Sequence, residues 1–449
     1  MKPHVVVVGG GFAGLSAVRR LAGAPVRITL IDKHNYHLFR PLTYQIATGL
    51  LSEDEVAAPL RSVFSRQSNA EVLMAEVTAI DTKSKSVRLD FGELHYDFLI
   101  LATGIQYNYF GHEQWKELAP GLDSVADADK IRGKILSAFE AAERIATTSE
   151  SKPDAIEQWL TFIIVGGGTA GVEMAGTIAE LARFALARDF RHIDLHKARI
   201  LLFEAGPRIL PTFPEALSNK AHRHLERLGV TVQTSSRVEQ VQPQGITVND
   251  KQILSHTVLW CAGVLASPAA DWLGAEKGRS GRVKVNPDLS VPGHPDVFVI
   301  GDTAEVIAES RNLFGIKAEK PGPMPGVAQP AIQEGKYVAN VIRSRVAQRP
   351  APGPFWYWNK GNLAVVGRGF AIADLGFLKS AGFAAWLLWS GVHIYFLIGF
   401  GKRILVFSRW AISFLTRRRA VRIYPLGQSE AERLNTSEPP VPKEHRRAA

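Results

Sequence analysis

The chain has 449 residues, of which 46% are hydrophobic and 21% charged, so it is a folded globular protein of about two to four domains and not a disordered or collagen-like one. Its formal net charge is +10, and residues 375–429 contain eight basic and no acidic residues. The single cysteine, Cys261, excludes a disulfide framework, a cysteine-pair redox shuttle and a multi-cysteine metal site within this chain.

An apolar strand is predicted to begin at Val5, four residues after the first residue of the sequence. A secretory signal or an Arg- and Ser-rich transit peptide would have to precede that strand, and neither fits. We therefore expect the protein to stay in the compartment where it is synthesised.

The first predicted elements form a dinucleotide-binding unit. The strand Val5 to Val8 leads into the motif Gly9-x-Gly11-x-x-Gly14, a helix follows to Ala22, and the next strand ends at Asp32. The first glycine permits a tight turn, the second lets the backbone approach a pyrophosphate, and the third lets helix and strand pack closely. The helix N-terminus then faces the phosphates, and the acid can accept hydrogen bonds from a ribose. The alternative is a glycine-rich turn that binds nothing.

A second unit of the same kind follows later in the chain. A strand at residues 161–165 precedes Gly166-x-Gly168-x-x-Gly171, a helix is predicted through about Arg188, and the strand at 199–203 ends at Glu204. A carboxylate at this position repels a 2′-phosphate, so Glu204 predicts NAD(H) and not NADP(H). The basic stretch from Arg183 to Lys197 lengthens the unit and is not explained by nucleotide binding.

Two further segments fit a flavin. Residues 99–104 form a strand that closes on the small-residue turn Thr103-Gly104, and the strand from Val297 delivers Asp302 to its carboxyl end. Ligands of open α/β sheets bind beyond the carboxyl ends of the strands, so Asp302 is placed to hold polyol hydroxyls. The alternative for Asp302 is a helix N-cap.

These segments resemble the flavoproteins with two dinucleotide-binding domains, and among them the type II NADH:quinone oxidoreductases, over roughly residues 3 to 425. The resemblance rests on HLFRPLTYQIATG at 37–49, LWCAGV at 259–264, AQPAIQEG at 328–335 and YWNKGNLA at 357–364. Relatives usually have leucine in place of Thr43 and often glutamine in place of Glu334, and both departures bear on the shape of the quinone pocket. The implied fold class is α/β, with two Rossmann-like domains for FAD and NADH and a C-terminal membrane-attachment region with amphipathic helices.

The resemblance implies a flavoprotein that passes a hydride from NADH to noncovalent FAD and then two electrons to a membrane quinone, without proton pumping. It assigns Gly166, Gly168, Gly171 and Glu204 to NADH and places the carboxylate of Glu173 beside the stacked rings; the alternative for Glu173 is a solvated acid favoured by the helix dipole. It assigns the FAD contacts to Gly9, Gly11, Gly14, Asp32, Thr103, Gly104 and Asp302. Lys33, Ala328 and Gly263 are further cofactor-binding candidates.

Gln329 and Gln333 indicate the second acceptor. Their spacing places both amides on one helix face, and amides can donate to quinone carbonyls without adding charge to an apolar slot. By resemblance this helix abuts the flavin on the side away from NADH, with Lys360 near enough to stabilise negative charge. The alternative is that both glutamines cap or bridge backbone groups.

The C-terminal segment predicts membrane attachment. Residues 380–401 carry no Asp, Glu, Lys or Arg, and this length could span a bilayer. Trp386, Trp389, His393, Phe396 and Phe400 recur at helical spacing, which favours an apolar stripe. With the eight basic residues, this stripe favours a helix lying in the interface of an anionic leaflet. A buried soluble helix is the third alternative, and the apolar content argues against nucleic acid.

The predicted organisation is an FAD domain at 1–112 and 265–345, an NADH domain at 113–264, a membrane-attachment region at 350–425 and a disordered tail at 426–449. The predicted location is the cytoplasmic face of the inner cell membrane, and a homodimer is left open. Three competing functions remain. A sulfide:quinone reductase would need paired cysteines, a soluble reductase of a ferredoxin-type partner would not need the basic aromatic C-terminus, and a non-enzymatic flavoprotein or NADH sensor would not oxidise NADH.

Overall fold

The computed structural model describes residues 2–148, 153–318 and 320–424. The predicted tail at 426–449 lies outside these residues. The first part of the chain contains β1 (His4–Val8), α1 (Phe12–Arg20), β2 (Arg27–Asp32), β3 (Tyr36–Leu38), α2 (Thr43–Ala47), α3 (Glu53–Val56), β4 (Ala57–Pro59), α4 (Leu60–Phe64), β5 (Ala70–Met74), β6 (Val77–Asp81), β7 (Ser86–Leu89), β8 (Gly92–His95), β9 (Phe98–Leu101) and β10 (Ile105–Tyr107).

The middle of the chain contains the second set of elements. They are α5 (Trp115–Leu118), α6 (Val125–Ala146), α7 (Pro153–Trp159), β11 (Thr161–Val165), α8 (Thr169–Glu180), β12 (Arg199–Phe203), α9 (Glu215–Arg227), β13 (Val230–Gln233), β14 (Val238–Gln242), β15 (Gly245–Val248), β16 (Lys251–Leu254), β17 (Thr257–Trp260) and β18 (Val264–Ala266).

The last part of the chain returns to the first sheet and ends in two helices. Its elements are α10 (Ala269–Leu273), β19 (Val283–Lys284), β20 (Ser290–Val291), β21 (His294–Val299), β22 (Ala304–Glu305), β23 (Ile307–Arg311), β24 (Gly322–Pro323), α11 (Ala328–Val346), β25 (Trp356–Trp358), β26 (Asn362–Gly367), β27 (Phe370–Asp374), β28 (Lys379–Gly382), α12 (Phe383–Phe396) and α13 (Phe400–Thr416).

The first dinucleotide unit is built on a six-stranded sheet of order β20-β21-β9-β1-β2-β5, parallel except at the β20 edge. β1 is apolar and buried along its whole length, as expected for a central strand covered on both faces. β21 joins this sheet although it comes almost 200 residues after β9 in sequence. This return of the chain supports the predicted discontinuous FAD domain, whose boundaries stay predictions.

The second unit is a four-stranded parallel sheet of order β13-β12-β11-β17. Its central strand β11 is again fully buried and leads into the second glycine turn. The helix after that turn is shorter than the predicted one, because α8 ends at Glu180 and a single π-helical turn follows at Leu181–Ala185.

The C-terminal region is a three-stranded antiparallel sheet, β26-β27-β28, covered by α12 and α13. Trp389, Val406 and Trp410 are buried in the same core that contains α2, α6 and α8. The two helices are therefore an integral part of the folded body and not an appendage.

The predicted aromatic stripe faces the protein and not the surroundings. Trp389 is buried, Trp386 packs against the core, and both stack with aromatic rings of α13, whereas Phe400 is exposed. The opposite faces of the helices carry other apolar side chains that are exposed: Phe383, Leu387, Leu388, Tyr395, Ile404, Leu405, Phe407, Ile412 and Leu415. Within the described ranges, none of the helices combines the length and the apolar character needed to cross a membrane.

Three of the eight C-terminal basic residues are paired with carboxylates, so the predicted set of eight surface cations is wrong. Arg409 contacts Glu55 at 3.0 Å and Arg422 pairs with Asp189. Arg419 is buried, with its guanidinium 3.3 Å from Glu180. These contacts hold the C-terminal segment against α3 and against the middle of the chain.

The stretch from Arg183 to Lys197 packs against α6 and against the C-terminal segment. The carboxylate of Glu143 on α6 accepts hydrogen bonds from the backbone N–H groups of residues 191–193. Phe184 lies under the guanidinium of Arg417, 4.7 Å from the ring centre. The insertion that nucleotide binding does not explain thus packs against α6 and the C-terminal segment.

Candidate active site

The first glycine turn has the shape that a bound pyrophosphate requires. Gly9 has φ +104°, and a Cβ there would lie 2.3 Å from the carbonyl oxygen of Ala102. A Cβ at Gly14 would lie 1.9 Å from the oxygen of Gly9, so only glycine allows α1 to approach β1 this closely. Gly11 caps α1 and its Cβ would meet no atom within 4 Å. The turn is therefore tightly packed at Gly9 and Gly14 and leaves open space at Gly11, where α1 begins.

Asp32 braces this turn from the end of β2. Its Oδ2 accepts a hydrogen bond from Gly10 N at 2.6 Å and its Oδ1 accepts one from His34 N at 2.7 Å. A carboxylate oxygen has a second lone pair, so both bonds leave acceptor capacity for a ribose. The neighbouring Lys33 is exposed.

His37 adds an unsatisfied polar atom below the same turn. Its Nδ1 lies 2.8 Å from Gly10 O and must donate, because a carbonyl can only accept. Burial lowers the pKa of His37 to about 4, so the ring is neutral. Its Nε2 is buried and has no hydrogen-bond partner among the described residues. The turn, Asp32 and this free acceptor together fit the FAD that the sequence implies.

The second glycine turn repeats this geometry. Gly166 has φ +109°, a Cβ at Gly171 would lie 1.8 Å from Gly166 O, and Gly168 is open. Glu204 accepts hydrogen bonds from Gly167 N and Gly206 N, both at 2.6 Å. The equivalence of the two turns indicates two dinucleotides in one chain. Gly263 lies on the loop after β17, whose Cys261 carbonyl oxygen would be 2.6 Å from a Cβ at Gly166.

Asp302 lies beyond the carboxyl end of β21, close to the other flavin candidates. It is inside a short 3₁₀ turn that leads into β22, so it is not the N-cap of a helix. Burial is the main cause that raises its pKa, and Arg282 opposes it. Thr303 holds the neighbouring turn, because its Oγ1 accepts a hydrogen bond from Gly104 N at 2.7 Å. Thr103 is hydrogen-bonded to Ser267 at 2.5 Å.

Glu334 is a buried carboxyl group that fixes the Asp302 turn. It lies on α11 and its Oε2 accepts a hydrogen bond from Gly301 N at 2.6 Å. Burial raises its pKa to about 8, and the nearby Asp302 adds to that rise. Gly301 packs between Ala13 of α1 and Ala331 of α11. Glu334, where relatives often have glutamine, therefore holds the turn that carries Asp302, one of the FAD candidates.

Glu334→Gln should make the free energy of unfolding less dependent on pH. The folded-state pKa of Glu334 lies above its unfolded value, so ionisation destabilises the fold as pH rises from about 4.5 through about 8. Glutamine keeps the acceptor for Gly301 N and cannot ionise. Chemical denaturation at pH 5 and pH 8 should therefore show a larger loss of stability for the wild-type protein than for the variant. Equal losses would contradict this account.

Glu173 is buried at the junction of α8 and β26. Its side chain is 7% exposed, so the solvated alternative is wrong. Burial raises its pKa well above the usual value, opposed only by a hydrogen bond with the Val365 backbone. The Cys261 thiol is close enough that Glu173 adds to the rise of its pKa, which burial brings to about 12. Burial therefore favours the protonated form of Glu173.

The two glutamines of α11 have different surroundings. Gln333 donates from Nε2 to Trp358 O at 3.0 Å and accepts at Oε1 from Trp358 N at 2.9 Å. For Gln333 the backbone-bridging alternative is thus present in the structure. Gln329 is partly exposed one turn earlier, next to Ala328 at the start of α11.

Lys360 lies on the same side of the fold as Trp358. Its Nζ is 4.9 Å from the centre of the Trp358 ring and 5.8 Å from that of Phe396 on α12. Partial burial, with the positive charge of Lys336, lowers its pKa. Lys360 thus bridges β25 and α12.

A cavity of about 60 Å³, which the sequence did not reveal, lies between α2, α8 and the C-terminal helices. Its wall includes Tyr44, whose hydroxyl oxygen accepts from Gln45 at 2.8 Å, and Trp410, which donates to Gln45 at 2.7 Å. The buried pair of Arg419 and Glu180 completes the polar part of the wall. In the sequence, this cavity corresponds only to an alternation of basic and aromatic residues in the C-terminal segment, and such a pattern does not show which residues are buried.

Known proteins match the chain over most of its length. The pyridine nucleotide-disulphide oxidoreductase family matches residues 3–335. A type II NADH:quinone oxidoreductase of Mycobacterium tuberculosis is 44% identical over 93% of this chain and 89% of its own length. One from Staphylococcus haemolyticus is 30% identical over 82% and 88%.

Solved structures agree in fold. NDH2 from Plasmodium falciparum in complex with NADH has a TM-score of 0.80 at 20% identity, covering 92% of this chain and 98% of that one. The sulfide:quinone oxidoreductase of Aquifex aeolicus has a TM-score of 0.69 at 17% identity, covering 94% and 96%. The repeated glycine turns, the full-length match and the sequence identity lead to one conclusion: the chain belongs to the type II NADH:quinone oxidoreductases of the pyridine nucleotide-disulphide oxidoreductase family.

Proposed function

We propose that the chain oxidises NADH and reduces a membrane quinone, with α12 and α13 against the membrane surface. FAD, when bound, supplies a carrier that accepts a hydride and passes two electrons on. The observation that carries the proposal is the pair of equivalent glycine turns, each open above a helix N-terminus and each braced by a carboxylate.

Each glycine turn would bind one of the two dinucleotides. Asp32, Thr103, Gly104 and Asp302 would contact FAD, and Lys33 and Ala328 would lie at the margin of its site. Glu204 stands beside the second turn, where its charge opposes a 2′-phosphate and favours NADH. Gly263 would line the second site.

Burial favours the protonated form of Glu173, which would lie beside the stacked rings. Quinone reduction by NADH consumes one proton in addition to the transferred hydride. A buried neutral carboxyl group can donate a hydrogen bond without adding charge beside the reacting rings. The burial of Glu173 and its position two residues after Gly171 support this role.

Gln329→Leu should slow reoxidation of the reduced enzyme by quinone, because it removes an amide that can donate to a quinone carbonyl. Flavin reduction by NADH should be nearly unchanged, since it uses the other pocket. Stopped-flow absorbance resolves the two half-reactions. Equal slowing of both half-reactions by Gln329→Leu would contradict the assignment.

Gln333→Leu should lower the thermal stability of the protein, because it leaves both backbone groups of Trp358 without their partner.

Membrane association is supported by the exposed apolar faces of α12 and α13 and by the remaining cations. Five of the eight cations form no salt bridge with a described carboxylate, and Lys379, Arg417 and Arg418 among them flank these faces. Apolar faces with flanking cations are typical of helices that lie in the interface of an anionic leaflet. The cytoplasmic face of the inner membrane would be the site, and a homodimer stays a prediction.

The experiment is a steady-state assay on the purified protein after its flavin has been identified. NADH and NADPH are compared with a soluble quinone and with a ferredoxin-type protein as acceptors. We expect NADH and quinone to be used with the highest kcat/KM. A preference for the one-electron protein, or no oxidation of NADH, would overturn the proposal in favour of the soluble reductase or the non-enzymatic flavoprotein.

A further inference from the structure

Two neighbouring turns outside the C-terminal helices expose a compact group of large apolar side chains. We call this group the apolar tip; it consists of Phe314, Ile316, Phe377 and Leu378. Their exposures are 67%, 64%, 56% and 50%. The rings of Phe314 and Phe377 contact each other edge to face, with centres 4.9 Å apart. Contiguous exposed apolar groups are uncommon on soluble surfaces and mark interaction sites.

The first turn of the apolar tip is organised by Asn312. Its Oδ1 accepts hydrogen bonds from Phe314 N and Ile316 N, both at 3.0 Å. Asn312 N also donates to Ile316 O, and Gly315 N donates to Asn312 O, each at 2.9 Å. Gly315 has φ +78°, which glycine adopts without strain. The turn is therefore a fixed shape that presents its two apolar side chains outwards.

The second turn is closed in the same manner. Leu375 N donates to Leu378 O at 2.9 Å, and Gly376 N donates to Asp374 Oδ1 at 3.0 Å. Both turns thus satisfy many of their backbone donors internally. This matters for a lipid contact, because backbone groups without partners are costly to place in an apolar medium.

The apolar tip is continuous with the faces of α12 and α13. β28 starts at Lys379, directly after Leu378, and leads into α12 at Phe383. A second connection runs through β25, which pairs with β23 just before Asn312. Trp358 on β25 contacts Lys360, and Lys360 also contacts Phe396 of α12. Exposed cations, Lys320 and Lys379, lie next to the two turns in sequence.

We propose that the apolar tip inserts into the interface of a lipid bilayer as a second contact, beside α12 and α13. This proposal rests on the proposed membrane association and adds residues from a different part of the chain to it. Two separated contacts would fix the tilt of the protein on the membrane. Trp358, the residue to which Gln333 is bonded, would then lie between the contacts, where a lipophilic quinone leaves the bilayer.

The test is a depth measurement with nitroxide spin labels on single introduced cysteines. Cys261 is half-buried and burial raises the pKa of its thiol to about 12, so an exposed introduced cysteine reacts in preference to it. Leu378→Cys reports on the apolar tip and Leu415→Cys on α13. Phe91→Cys, 65% exposed in the turn between β7 and β8, is the matched solvent control. Collisions with oxygen and with a soluble nickel chelate are compared with and without vesicles that contain about one third anionic lipid.

We expect vesicles to protect the labels at 378 and 415 from the nickel chelate and to leave the label at 91 unchanged. Protection at 415 without protection at 378 would overturn the proposal for the apolar tip while the attachment through α13 stands. Protection at neither position would overturn both. Protection at 378 by raised protein concentration alone would assign the apolar tip to a second copy of the chain and overturn the lipid proposal.

A pair of variants gives an independent readout. The double variant Phe314→Ser and Phe377→Ser should lower vesicle affinity roughly tenfold, because it removes two exposed rings that would be partly buried in the lipid. Phe91→Ser should leave the affinity unchanged. NADH oxidation with a small soluble acceptor should persist in all of these variants, which shows that they fold. An unchanged affinity of the double variant would count against the apolar tip.

Discussion

Gly11→Ala is expected to give a folded protein that has lost its flavin. A Cβ at this position meets no protein atom within 4 Å, and Gly11 has the ordinary φ of −70°, so the chain itself tolerates alanine. The added carbon occupies the space through which a pyrophosphate approaches the backbone. We expect FAD affinity to fall roughly hundredfold, because an extra carbon in a packed site costs about 1–3 kcal/mol. Flavin absorbance after gel filtration measures the loss, and circular dichroism confirms the fold.

Gly168→Ala is the matched variant of the second turn. It should retain FAD and raise the KM for NADH, because Gly168 has the same open position in the other site. Gly92→Ala, which also meets no atom within 4 Å but lies far along the chain from both turns, is the control. Loss of flavin from both turn variants alike would contradict the assignment of one dinucleotide to each turn.

The triple replacement of Ile404, Phe407 and Leu415 by serine is expected to abolish stable binding to vesicles. The three side chains are 52%, 61% and 81% exposed on α13. Half-burial of each in the interface would contribute about 1 kcal/mol, so vesicle affinity should fall roughly hundredfold. Co-sedimentation measures the affinity, and assays with lipophilic and soluble quinones should show loss of the first activity only.

Two controls sharpen this result. Phe91→Ser removes an exposed apolar group elsewhere and should leave vesicle binding unchanged. High salt should weaken binding of the unmodified protein only in part, because it screens the cations and not the apolar contact. Removal of everything after Ala373 is a poor substitute for the triple variant, since it also takes Trp389 and Trp410 out of the core. Unchanged binding of the triple variant would contradict attachment through α13.

The nucleotide turns could be predicted from the sequence because their chemistry is local. The glycines, the strand before them and the acid at the end of the next strand all lie within about 40 residues. The first and third glycines of each motif are required by contacts with their own turn or with an adjacent strand, as at Gly9 and Gly14. Local motifs of this kind carry their geometry in their spacing.

The acceptor side and the C-terminal helices could not be predicted to the same depth. Gln333 bonds to Trp358, which is 25 residues away, and no spacing rule links the two. In α12 both faces are apolar, so periodicity identifies a stripe but not which face is buried. Arg419 looks like a member of a surface cluster until Glu180, more than 200 residues earlier, is found beside it.

The placement of Cys261 has a consequence for how the protein responds to oxidants. Thiol oxidation begins from an accessible thiolate, and the chain's only sulfhydryl group is half-buried, with burial and the nearby Glu173 raising its pKa. Peroxide or a disulfide in the surrounding medium would find no sulfhydryl through which to slow electron flow. Regulation of this protein by oxidation of its own cysteine is therefore disfavoured.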